Sequence, residues 1–143
     1  MKNIEKNLLI FIVGGLGYGA IEILFRNYTH WSMIITGGSS LLCIYIINKA
    51  FRDKPIFLRA LYSSLAITTM ELTVGIVVNN IFNFAVWDYT NTPANFMGII
   101  SLPFSACWYA ISFILIILIN LMKKIKLQIH DTPLHHVLGL EQK

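Results

Sequence analysis

Leu8–Phe25 reads LLIFIVGGLGYGAIEILF, an apolar run whose single charge is Glu22. A helix crosses the hydrocarbon core of a bilayer in about 20 residues, so this run predicts a transmembrane helix. Ile56–Phe84, IFLRALYSSLAITTMELTVGIVVNNIFNF, places Glu71 in the same surroundings. A carboxylate inside a membrane segment costs ~2.5–3.5 kcal/mol on insertion scales. Such residues normally face a bundle interior or a watery cavity. Glu22 and Glu71 are therefore the first candidate site residues.

The whole chain fits a membrane setting. Of its 143 residues 56% are hydrophobic and 13% charged, where a soluble domain carries about 25% charged residues. Mean hydropathy is +0.66. Four spans are expected, at residues 8–25, 31–47, 56–84 and 96–122. The fold class is an all-α membrane protein, a four-transmembrane-helix bundle, with residues 1–122 as the transmembrane domain. Residues 123–143 form a basic, interfacial tail. Its His130, Asp131, His135 and His136 are read as solvated rather than metal-binding. The N-terminal lysines precede an apolar run with no Ala-x-Ala site after it, so this segment is read as a retained helix rather than a cleaved leader. Cys43 and Cys107 lie within apolar runs and read as small packing residues. No metal or cofactor is expected.

Ten of the eleven Lys and Arg residues fall on one side of these spans, Arg26 being the exception. The positive-inside rule then puts both termini and the Lys49–Arg59 loop in the cytoplasm of a bacterial inner membrane. Residues 27–30 and 85–95 lie outside. Trp31, Trp87 and Tyr89 fall at the outer boundary, where amphipathic rings are favoured. The basic residues flank apolar runs, so they report topology and give no sign of nucleic acid as a partner.

Two polar stripes run along the helices. Gly15, Gly19, Glu22 and Arg26 are spaced four, three and four, on one helical face. Ser64, Thr68, Glu71 and Gly75 repeat that spacing. Gly37 and Gly38 give the second helix a small surface of its own. Small residues let helix backbones approach closely, and these faces are expected to pack on one another. Both glutamates are expected ~20 Å from the cytoplasmic edge. One glutamate per half admits two repeated helical hairpins. Arg26, one turn from Glu22, is a partner for that acid or a cation at the outer mouth.

Trp87-Asp88-Tyr89 and the following Pro93, Asn95 and Gly98 make the loop before the fourth helix. Pro93 suits a turn and Asn95 a helix cap. Gly98 suits close packing. The loop reads either as a capped anchor or as a lid over the two glutamates.

These residues carry a resemblance. Gly19-x-x-Glu22 with Arg26, Thr29-His30-Trp31-Ser32-Met33, Gly37-Gly38, Glu71 with Gly75, and Trp87-Asp88-Tyr89-Thr90 with Pro93, Asn95 and Gly98 occur in order. With Leu102-Pro103-Phe104-Ser105 and Trp108 they resemble the Putative ABC-transporter type IV family, small CmpB-like permeases of bacteria and phages. Thr90 stands where that family usually has serine. The resemblance implies four helices and a transport-associated role. No G-x-x-x-x-G-K-[ST] loop is present, so ATP hydrolysis would need a separate ATPase subunit. No hydrolase motif is present either. The expected partners are the lipid bilayer and either further copies of this chain or another membrane protein. The competing reading is a non-transporting assembly, sensory or interaction module.

Overall fold

A computed structural model of the protein describes residues 3–84 and 86–131, without the side chains of residues 25, 26, 80 and 126–131. Helix α1 spans Asn3–Arg26, α2 Trp31–Ala50, α3 Ile56–Gly75 and α4 Leu102–Asp131. All four are long and apolar enough to cross a membrane. The protein is thus a multi-pass, all-α membrane protein. The expected tail starts as a continuation of α4, and residues 132–143, with His135 and His136, lie outside the described residues. The side chains of His130 and Asp131 do so too.

Local chemistry sets the helix ends. Asn27 takes a left-handed φ of 59° and its N–H returns to the Ile23 carbonyl at 2.9 Å. Asparagine tolerates that conformation and closes α1. His30 caps α2, its Nδ1 accepting from the Ser32 N–H at 3.3 Å. Pro55 precedes α3 with φ −63°, the angle its ring imposes. Beyond Gly75 the chain widens into a π-helical turn over Ile76–Ile81. Asn83, at φ 54°, ends the run. The third helical segment thus stops at Ile81, short of Phe84.

The fourth helix begins at Leu102 rather than Phe96. Asn95–Phe96 (β1) and Ile100–Ser101 (β2) instead pair antiparallel as a small hairpin. The Leu102 N–H bonds the Ala94 carbonyl at 3.2 Å. Pro103 follows in the first turn, where its missing N–H is not needed.

The closest packing lies within α1–α2 and within α3–α4, with α2 bridging to α3 and α4. Glycines make the first contact possible. A Cβ on Gly14 would lie 2.6 Å from Leu41 Cβ, and one on Gly38 would lie 2.6 Å from the Phe11 carbonyl oxygen. A Cβ on Gly37 would overlap Tyr18 Cβ. On the α1 stripe itself, a Cβ on Gly15 would lie 2.7 Å from the Ile34 carbonyl oxygen of α2.

The α3 stripe does not join it. Ser64 Oγ donates to the Ser105 carbonyl at 2.9 Å and Thr68 Oγ1 to Ser105 Oγ at 3.1 Å. Both hydroxyls need acceptors away from water, and Ser105 on α4 provides them. Buried apolar residues form two clusters. Met33, Val78, Val86, Trp87 and Ile99 sit at the loop end; Ile44, Ala60, Ile67, Trp108 and Ile116 sit deeper. Tyr18 packs against both.

Candidate functional site

The loop between α3 and α4 is a folded cap. Trp87, only 5% exposed, turns inward. Its Nε1–H donates to the Ile99 carbonyl at 2.9 Å. Gly75 leaves the room for this insertion. A Cβ there would overlap Ile99 Cγ2 and approach Trp87 Cζ2 to 3.1 Å. Asn79, in the π-helical turn, holds Val86 and Trp87 at the start of the loop. Its Nδ2 donates to the Trp87 carbonyl at 2.8 Å, and its Oδ1 accepts from the Val86 N–H at 3.4 Å. Trp87 is therefore an internal latch, whereas Trp31 is 54% exposed.

Loop polar groups close on one another. Asp88 Oδ1 accepts from the Thr90 N–H at 2.8 Å. That bond, with the Thr90 hydroxyl, holds the Asp88 carboxyl below the usual carboxylate range, so it stays ionised near neutrality. Asn95 does not cap α4. Its Nδ2 donates to the carbonyls of Thr90 (3.1 Å) and Thr92 (2.9 Å), and its Oδ1 accepts from the Gly98 N–H at 3.2 Å. Gly98 has φ +65°, and a Cβ there would lie 2.7 Å from Thr90 Cγ2. Glycine is favoured here on both counts. Pro93 sits exposed in the turn before Asn95.

Beneath this cap lies a cavity of about 450 Å³, lined by Tyr18, Ile21, Glu22, Trp87, Asp88, Tyr89 and Phe104. Glu22 is 6% exposed, and its Oε2 accepts from Thr29 Oγ1 at 2.7 Å. Tyr89 stacks on Phe104 with ring centroids 4.3 Å apart. The walls are thus aromatic, with two carboxylates among them. The first acid and the Trp87–Tyr89 segment, far apart in sequence, share one space. The Arg26 side chain lies outside the described residues.

Glu71 does not line this cavity. It is 3% exposed, and its Oε2 has no hydrogen-bond partner. Trp108 is its hydrogen-bonding neighbour. Trp108 also stacks on Tyr18, with centroids 5.8 Å apart and planes 17° apart. Tyr18 lies one helical turn from Glu22 on α1. Tyr18, which lines the cavity, thus stacks on the Trp108 ring that neighbours Glu71.

Sequence reasoning passed over Tyr18 and singled out Thr29, Phe104 and Trp108 only through the resemblance, with no contact assigned to them. Tyr18 had one visible signal, its four-residue spacing from Glu22 on the same face. The others depend on how the helices cross.

No solved structure matches the chain. The family model described as Putative ABC-transporter type IV matches residues 26–140. That match covers the Thr29–His30 cap of α2, Glu71, the entire Trp87–Gly98 loop and Trp108. Glu22 and the glycines of α1 precede it. With most of its length matched, the chain belongs to the Putative ABC-transporter type IV family.

Proposed function

We propose that the protein is a transport-associated subunit of the bacterial inner membrane, with a cation- or proton-binding cavity formed by Glu22 and Asp88 and with Glu71 below it. The observation that carries this reading is the 450 Å³ cavity joining a membrane-embedded carboxylate to a loop carboxylate. Intramembrane acids beside cavities mark ion and proton pathways. Aromatic walls add attraction for a cation. The Tyr18–Trp108 contact lies between this cavity and Glu71, which makes it a candidate gate. An energy-supplying ATPase, if one serves this protein, is a separate partner.

The reading predicts that Glu22→Gln in proteoliposomes lowers cation or proton flux at least tenfold, in line with losing a charge-assisted contact. Flux equal to wild type, in protein that remains folded, would reject a role for this carboxylate. The proposed topology puts the basic end in the cytoplasm and the loop outside. Asn91→Cys in intact cells should then react with an impermeant thiol reagent, and Lys54→Cys should be protected. The reverse pattern would invert the orientation.

A non-transporting assembly or interaction module is favoured by one feature. The loop satisfies its polar groups internally, as a rigid docking surface would. In that case a stable membrane partner would copurify in mild detergent, and no flux would be measured.

A further inference from the structure

The end of the bundle opposite the cap carries an unbalanced set of cations. Lys6 on α1 places Nζ 4.8 Å from the centroid of the Tyr45 ring on α2. Lys123 on α4 places its own Nζ 5.4 Å from the same ring. Two ammonium groups from different helices thus converge on one buried tyrosine. One turn along α2, Asn48 is 1% exposed. Its Oδ1 accepts from Arg59 Nη1 on α3, at 2.6 Å, and its Nδ2 donates to Asn120 Oδ1 on α4, at 2.9 Å. The Arg59 Nε is buried and has no hydrogen-bond partner.

Among the described residues, no carboxylate pairs with Lys6, Lys123 or Arg59. Asp53, the acid nearest Arg59 in sequence, pairs with Lys54 at 3.4 Å. Two cations brought to one ring favour an anion beside them. The surroundings indicate which anion. Leu8 and Leu9 beside Lys6, and Met122 and Ile125 beside Lys123, are exposed apolar side chains. Basic pockets between membrane helices bind anionic head groups, and such neighbours suit acyl chains.

We propose that Lys6 and Lys123, above Tyr45, form a site for the phosphate of an anionic phospholipid in the adjoining leaflet. The Arg59–Asn48–Asn120 network fixes α2, α3 and α4 behind it and adds positive potential. The site is independent of the acidic cavity and does not require the transport reading.

Native mass spectrometry of detergent-solubilised protein, titrated with phosphatidylglycerol or with phosphatidylcholine of the same chains, tests it. Wild type should retain phosphatidylglycerol more tightly. Lys6→Gln with Lys123→Gln should weaken that binding about 30-fold, from about 1 kcal/mol per basic residue, with phosphatidylcholine unaffected. The paired Lys→Arg variant should bind as wild type, and an unchanged melting point separates lost binding from lost fold. Equal affinity for the two lipids would overturn the proposal, as would a double Gln variant that still binds phosphatidylglycerol normally. Displacement by inorganic phosphate would assign the cations to a soluble anion and also overturn it.

Discussion

Trp87→Ala is expected to destabilise the protein by about 3–5 kcal/mol, the usual cost of removing a buried large aromatic side chain. Three contacts fail together. The indole leaves a hole between Gly75 and Ile99, the Ile99 carbonyl loses its donor, and the loop loses its inward anchor. Trp87→Phe separates these effects. It keeps a ring in the slot and removes only the Nε1–H bond, so about 1–2 kcal/mol is expected. Unfolding in detergent measures the totals. Hydrogen exchange at Tyr89 and Gly98 then reads the loop, because the Tyr89 N–H bonds the Gly98 carbonyl at 2.7 Å and the Gly98 N–H bonds Asn95 Oδ1 at 3.2 Å. In the Ala variant both amides should exchange faster than amides of α2. Protection equal to wild type would mean that the Asn95 and Thr90 bonds hold the loop without Trp87.

The contrast between Trp87 and Trp31 indicates where sequence reading succeeds and where it stops. Apolar length and lysine placement made the spans legible because each depends on composition along one segment. The spacing of Gly15, Gly19 and Glu22 puts them on one face of α1, since helical periodicity is local. It could not name the partner of the α3 stripe, which is α4 through Ser105. That choice depends on interhelical hydrogen bonds among residues 41 and 37 positions apart. Both tryptophans read as boundary anchors because both adjoin apolar runs. Only the small Gly75 surface, 12 residues before Trp87, makes one of them a latch. Asn95 looked like a helix cap because it precedes the fourth apolar run. The positive φ angles of Ala94, Met97 and Gly98 turn the chain into a hairpin first. The cavity lay further from reach, since its lining comes from α1, the loop and the start of α4.

Glu71→Leu should separate the two functional readings through opposite effects on stability and flux. Glu71 Oε2 has no partner at 3% exposure, so the wild-type side chain leaves part of its desolvation uncompensated. Leucine has a similar volume, and replacing buried polar groups with well-packed apolar ones is often neutral or stabilising by about 1–4 kcal/mol. Trp108 would lose its acceptor, which offsets some of that gain. The melting point in detergent is therefore expected to stay level or rise. If Glu71 serves transport, flux in proteoliposomes falls to background in the same variant. Glu71→Gln sharpens the test, because it keeps the shape and an acceptor for Trp108 but cannot exchange a proton in the carboxyl manner. Loss of flux in both variants with the fold intact ties conduction to the acid itself. Flux retained in Gln and lost in Leu would assign the position to hydrogen bonding. A lower melting point in Leu with flux unchanged would make Glu71 a structural tie between α3 and α4. Natural proteins keep destabilising groups where activity needs them, so a variant that is more stable and inactive is the outcome that most favours a pathway through Glu71.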